Sequence, residues 1–241
     1  MLTGLFVTGT DTGVGKTVIS AALLRHLRLS GATPGAMKPV ETGVQPGAEA
    51  LSDGGRLLAE VAPLQTLQEV NPYRFRQPLA PFDAARLEGT RVDLEDIVRK
   101  YRRLTERFRP IVVEGAGGLL VPVGDDWSVR DLIVALNLPV VVVARTGLGG
   151  INQALLTLEA LRQAEGRIIA LVLNQTVPPR DAVEEVQQRS TVELLGPRAG
   201  VPVIGPLHYL AGLSENWSET IEMLAHSEGI RQLADRVAEK P

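Results

Sequence analysis

Short runs of consecutive apolar residues alternate along this chain with longer stretches in which apolar positions recur every three or four residues. The runs at 5–8, 35–40, 111–113, 139–144, 168–173 and 201–204 predict strands. They lack the apolar–polar alternation of a half-exposed strand, so both faces should be buried, as in a parallel sheet covered by helices. The periodic stretches at 17–29, 50–61, 92–107, 131–136, 151–165, 182–195 and 221–238 predict helices. Strand and helix alternate from end to end, and no segment reads as a linker. The expectation is a single α/β domain over residues 1–241, with a mostly parallel sheet of roughly seven strands flanked by helices on both faces. Two stretches, 42–55 and 71–89, are rich in Gly, Pro and polar residues. They read as long loops at a functional site.

Composition narrows the function classes. Apolar residues make up 44% of the chain but aromatics only 4%, so the core must be aliphatic. There is no cysteine, which excludes disulfides, thiolate metal sites and cysteine nucleophiles. A net charge of −3 gives no global attraction for nucleic acid or anionic lipid. The apolar run at 138–144 falls far short of the roughly 20 residues that a membrane helix needs. The first residues lack the basic start and cleavage pattern of a signal peptide. The expected setting is cytoplasmic, with neither nucleic acid nor membrane as partner.

The first strand leads into GTDTGVGKT at residues 9–17, and a helix follows. A glycine-rich turn between strand and helix is the context of a phosphate-binding loop, the P-loop of nucleotide triphosphatases. The backbone N–H groups of Gly13, Val14, Gly15 and Lys16 would surround phosphate oxygens at the helix N-terminus. Lys16 would reach the β- and γ-phosphates, and the Thr17 hydroxyl would serve Mg²⁺. The usual spacing wants glycine at position 10, where Thr10 stands; Gly9 comes one residue early. Glu114 leaves a buried strand into Gly115, Ala116, Gly117 and Gly118. That is the carboxyl edge, where open α/β sheets bind ligands. Asp53 is a second candidate carboxylate, and Lys38, at the end of the second strand, a second candidate cation.

These segments together resemble the dethiobiotin synthetases, ATP-dependent enzymes of biotin biosynthesis. The resemblance rests on FVTGTDTGVGKT at 6–17, KPVETG at 38–43, VNPY at 70–73, VEGAGG at 113–118, GGIN at 149–152 and LN at 173–174. It runs in order to about residue 210 and accounts for the displaced glycine, since this family's loop has the longer form. The resemblance implies a reaction of 7,8-diaminononanoate, CO₂ and ATP, through a carbamate and a carbamic–phosphoric anhydride, to dethiobiotin, ADP and phosphate. It implies Mg²⁺ on Thr17, Asp53 and Glu114, with Lys38 as the catalytic lysine beside Lys16. ATP would lie on residues 13–18, Val18 included, near Asp53 and the turn Glu114, Gly115, Ala116 and Gly117. Asn174, Gln175, Leu207, His208 and Tyr209 would meet the base. Thr12, Thr42, Gly117 and Gly118 would bind the substrate. Its carboxylate would meet Gly150, Ile151 and Asn152 of a second subunit, so the site spans a homodimer. The chain departs from the family's common pattern at Thr42, Gly13, Gln175 and residues 206–209.

The remaining features have plainer readings. Arg99, Lys100, Arg102, Arg103, Arg107 and Arg109 form the one basic cluster, which reads as a solvated helix face. His26 and His226 have no partner at metal spacing, and Trp127 and Trp217 read as packing residues. A partitioning-type P-loop ATPase, acting as a nucleotide switch, is the alternative. It would carry a second lysine where Asp11 stands. Its membrane-binding C-terminal helix is poorly matched by the mixed charges of residues 229–240.

Overall fold

A computed structural model describes residues 2–213 and 215–239. The ends of the expected 1–241 domain (Met1, Lys240 and Pro241) lie outside the described residues, as does the last residue of the 229–240 segment. The first half runs β1 (Gly4–Gly9), α1 (Lys16–Leu29), β2 (Gly35–Met37), β3 (Val40–Thr42), α2 (Asp53–Val61), α3 (Leu67–Val70), β4 (Tyr73–Phe75), α4 (Pro81–Leu87), α5 (Leu94–Thr105) and β5 (Ile111–Glu114). The second runs α6 (Val129–Leu136), β6 (Val140–Arg145), α7 (Gly150–Gln163), β7 (Ile168–Asn174), α8 (Ala182–Arg198), β8 (Val203–Leu207), α9 (Trp217–Ala225) and α10 (Glu228–Ala238).

The main sheet has six strands in the order β2-β5-β1-β6-β7-β8, and every pairing is parallel. Alternate strand residues feed two aliphatic cores. Leu5, Val7, Val112, Val141 and Val172 meet α1, α2, α9 and α10 on one face. Phe6, Val113, Val142 and Leu173 meet α5, α6, α7 and α8 on the other. The doubly apolar strands follow from this: each faces a helical layer on both sides. Arg25 of α1 binds the fully buried Glu60 of α2 at 2.6 Å and Glu222 of α9 at 2.5 Å. One guanidinium thus ties three helices together.

Three expectations are corrected. The main sheet holds six strands rather than seven, one from each of the six apolar runs, and the run at 35–40 divides before its end. Met37 ends its pairing with β5, and Lys38 then donates its N–H to Val70 O at 2.6 Å. Pro39 has no N–H to continue a ladder. The chain turns away, and β3 pairs instead with β4 in a separate two-stranded parallel ladder. The stretches at 42–55 and 71–89 are not plain loops, since they contain the start of α2, β4 and α4. The helix expected at 221–238 is two helices, divided after Ala225 where Ser227 caps α10 by accepting from Ile230 N.

Candidate active site

The strand order changes direction at β1. The loop after it opens at the carboxyl edge of the sheet, where parallel sheets hold ligands. Residues 10–15 join β1 to α1, whose N-terminus has no side-chain cap and no acid in its first turn. Its free N–H groups and positive dipole end suit an anion. Gly15, the N-cap, has φ 98°. That left-handed backbone suits glycine, and a Cβ there would run into the Asn174 side chain. Lys16 is buried and donates to Asp11 O at 2.9 Å. Burial and the neighbouring Lys38 ammonium lower its pKa from 10.5 to about 8.

On the β5 side stands a buried cluster. Glu114, the last residue of β5, has a fully buried side chain. Its Oε1 accepts from Thr17 Oγ1 at 2.9 Å and from Lys38 Nζ at 2.5 Å. Lys38 Nζ also donates to Asp53 Oδ2 and to Gly115 O, each at 3.1 Å. All of its hydrogen-bond donors are therefore engaged. Burial opposes the Lys38 charge, but Glu114 and Asp53 outweigh it, and the pKa is raised. Burial likewise opposes the Asp53 carboxylate, yet Lys38 holds its pKa below the ordinary value.

Asp53 is not in a mobile loop. It is the first residue of α2, and the carboxylate of Glu41 accepts from Asp53 N at 2.6 Å and Gly54 N at 2.9 Å. Asn71 Nδ2 donates to Lys38 O at 2.6 Å. Glu41 and Asn71 lie within the KPVETG and VNPY segments, and the sequence alone does not mark them as supports. Their signal was only their place beside Lys38 and Pro72, and their partners are remote in sequence.

Among the described residues no group of three or more His, Cys, Asp or Glu could hold a metal. A Mg²⁺ on this loop would instead take phosphate oxygens and one or two carboxylates. Thr17, Asp53 and Glu114 are hard oxygen donors of that kind, and Glu114 Oε2 is buried without a hydrogen-bond partner. The donor set fits.

Thr12 and Gly117 are neighbours: a Cβ on Gly117 would lie 3.5 Å from Thr12 Oγ1. Gly118 packs near the Thr10 carbonyl, so the 115–118 turn lies along the phosphate loop. Thr42 sits on the separate β3–β4 ladder. Gly150, Ile151 and Asn152 form the first turn of α7, at the exit of β6. On the β7 side, Asn174 Nδ2 donates to Val14 O at 3.0 Å. Gln175 N donates to Leu207 O at 2.9 Å, and its Oε1 accepts from Tyr209 N at 3.1 Å. His208 lines two cavities, of about 490 and 330 Å³.

Three of the six residues of the basic cluster are paired: Arg99 and Lys100 bind Asp96, and Arg107 binds Glu69. His26 Nδ1 lies 2.9 Å from Ala225 O, and His226 Nδ1 lies 2.9 Å from Glu222 O. Arg56 stacks on Trp217, 4.3 Å from the ring centroid. Among the described residues no helix is long and apolar enough to cross a membrane.

Comparison with known proteins carries this further. A family described as an AAA domain matches residues 3–216. The ATP-dependent dethiobiotin synthetase BioD of Anaeromyxobacter sp. (strain K) is 49% identical over 74% of this chain and 79% of its own. That of Bacillus licheniformis is 41% identical over 84% of each chain. That of Thermodesulfovibrio yellowstonii is 36% identical over 90% of this chain and 92% of its own. Among solved structures, a chain of the MinC:MinD cell division protein complex of Aquifex aeolicus aligns with a TM-score of 0.59 at 14% identity, covering 100% of this chain and 97% of that one. A ParA family ATPase from Chlorobium tepidum aligns at 0.55 and 14%, covering 98% of each. Those two likenesses show the P-loop α/β fold alone and do not favour a partitioning switch. The sequence matches over most of the chain are of a different order, and they establish that this chain belongs to the ATP-dependent dethiobiotin synthetases, ligases that form C–N bonds.

Proposed function

We propose that the site takes 7,8-diaminononanoate, CO₂ and ATP, and that the residues assembled around the phosphate loop carry the reaction. One substrate amine takes up CO₂ as a carbamate. A carbamate oxygen attacks the γ-phosphorus, forming a carbamic–phosphoric anhydride and releasing ADP. The second amine attacks the carbonyl carbon, closes the ureido ring and expels phosphate. Such a sequence needs aligned reactants and stabilised negative charge more than covalent help from the protein.

The N–H groups of residues 13–18 hold the phosphates, and Lys16 exchanges Asp11 O for them. Thr17, Asp53 and Glu114 hold Mg²⁺, which when bound offsets charge on the β- and γ-phosphates. Lys38 serves the carbamate and the transferring phosphoryl group. To do so it gives up at least one of its bonds to Asp53, Glu114 and Gly115 O. Thr12, Thr42, Gly117 and Gly118 line the substrate amines. Gly150, Ile151 and Asn152 of a second copy receive the substrate carboxylate at a helix N-terminus, which makes the working unit a homodimer. The base lies toward Asn174, Gln175 and residues 207–209. A cytoplasmic setting accords with the cysteine-free composition and the need for ATP.

The observation that carries this reading is the buried Lys38–Glu114–Thr17 cluster beside the phosphate loop: a cation, a carboxylate and a hydroxyl joined within hydrogen-bond distance. The test is an ADP-release assay with diaminononanoate and bicarbonate, each omitted in turn. Release that depends on both supports the reading. Release from ATP alone, unchanged by either omission, sinks it.

A further inference from the structure

The β7 exit and the β8 exit are joined by the backbone bond from Gln175 N to Leu207 O and by the Gln175 side chain, which is itself held by another side chain. Gln175 accepts from Tyr209 N through Oε1 and donates through Nε2 to Oε1 of Gln188 on α8. Gln188 is one of the few residues that α8 buries, and it is polar. A buried amide is costly unless hydrogen-bonded, so its partner matters.

The partner also fixes the residue type. Tyr209 N is a donor, so Gln175 must present its oxygen there. That leaves Nε2 facing α8, where it requires an acceptor. Gln188 supplies one; an aliphatic side chain would take that acceptor away from the half-buried Gln175 amide. Gln175 thus has its amide oxygen and one of its two amide N–H groups engaged within the protein. It braces the backbone of 207–209 against α8.

The direction of the nucleotide follows from the sheet order. Phosphates on the α1 N-terminus have β5 on one side and β6, β7 and β8 on the other. The β5 side is filled by Lys38, Glu114 and Asp53. The β7–β8 side carries the two cavities that share Pro206 and His208, and Gln175 and Gln188 both line the smaller one. A nucleoside leaving the phosphate loop past Asn174 meets the 205–209 backbone there.

We propose that Gln188 is a positioning residue for the nucleotide base, acting through Gln175 on the backbone of residues 207–209. This rests on the base orientation put forward above, so the experiment separates the two. ADP and pyrophosphate are titrated into the wild-type chain, Gln188→Leu and Gln188→Glu. Glutamate keeps the acceptor and leucine removes it. Losing one such hydrogen bond corresponds to roughly a two- to thirteen-fold change in an equilibrium constant. The expectation is a weakening of that order for ADP in Gln188→Leu, near-normal ADP binding in Gln188→Glu, and unchanged pyrophosphate binding in both. If Gln188→Leu melts well below the wild type, Gln188→Ala takes its place, removing the acceptor without adding bulk. Equal weakening of ADP and pyrophosphate, normal ADP affinity without the acceptor, or a glutamate variant as weak as leucine would each overturn the proposal. Amide shifts of residues 205–209 on adding ADP to the wild type report the base separately. If they do not move, the base orientation fails, and this inference with it. If they move while Gln188→Leu binds ADP normally, only the role of Gln188 fails.

Discussion

Lys16 and Lys38 are both buried ammonium groups beside one loop, yet their surroundings push them in opposite directions. Lys38 is held charged by Glu114 and Asp53, whereas Lys16 has burial and Lys38 against it. We expect Lys38→Gln to lose turnover rather than ATP affinity. A charge aimed at the transferring group matters most where charge redistributes, and removing such a contact costs about 2.7–4 kcal/mol, or roughly a hundred- to a thousand-fold in turnover. Lys16→Gln should weaken ATP binding as well. Steady-state kinetics with a separate ATP titration check both; wild-type turnover at saturation in Lys38→Gln would remove it from catalysis. Lys16 also carries a pH signature. Its folded pKa of about 8 lies below the ordinary 10.5, so between those values the unfolded chain binds more protons. This group alone makes stability rise with pH across that window, because the cost of holding it charged, fully present below about pH 8, is relieved. Phosphates restore its charge, so ATP binding near pH 9 should take up a proton. Calorimetry in buffers of different ionisation enthalpy reads this uptake, and it should vanish in Lys16→Gln and near pH 6.5.

At the scale of elements, the site depends on where a short strand sends the chain after it ends. β2 stops at Met37, and the next residues cross to a second ladder that carries Glu41 to the N-terminus of α2. Glu41 there receives two backbone N–H groups and sets Asp53 at the first turn. Burial and the neighbouring Asp53 carboxylate raise the Glu41 pKa above its ordinary value, although those N–H groups and Lys38 pull against the shift. Hydrogen bonds to a charged group contribute about 1.5–3 kcal/mol each. With two such bonds, Glu41→Ala is therefore expected to lower stability by roughly 3–6 kcal/mol and to raise the Mg²⁺ concentration needed for half-maximal activity. Chemical denaturation and a Mg²⁺ titration measure the two effects. Lower stability with an unchanged Mg²⁺ requirement would show that the cap does not position Asp53.

At the scale of the whole molecule, the α7 N-terminus stands at the exit of β6 while the lysine–carboxylate cluster stands at β5 and β2. Apolar residues remain exposed around α7 and α8, with Leu148, Leu156, Val183 and Val186 each more than half exposed. If the carboxylate site belongs to the neighbour, mixing Lys38→Ala subunits with Asn152→Asp subunits should restore part of the activity, because some heterodimers regain one intact site. No recovery in verified heterodimers would mean that the site is built within one chain.

The layered α/β fold was legible because doubly apolar strands and periodic helices report burial directly, and local pattern is enough for that. The phosphate loop was legible for the same reason: its glycines, Lys16 and Thr17 are contiguous, so one short segment carries the geometry. Lys38 and Glu114 were legible as candidates because each ends a strand, and strand ends of a parallel sheet share one edge. What the sequence could not determine was which distant groups meet there. The division of the run at 35–40 depends on Val70 accepting from Lys38 N, a contact across 32 residues. The support of Asp53 by Glu41 and the brace from Gln188 through Gln175 to Tyr209 are likewise set by packing. Hydrogen-bond partners between elements follow from how helices seat on the sheet, and only the folded chain decides that.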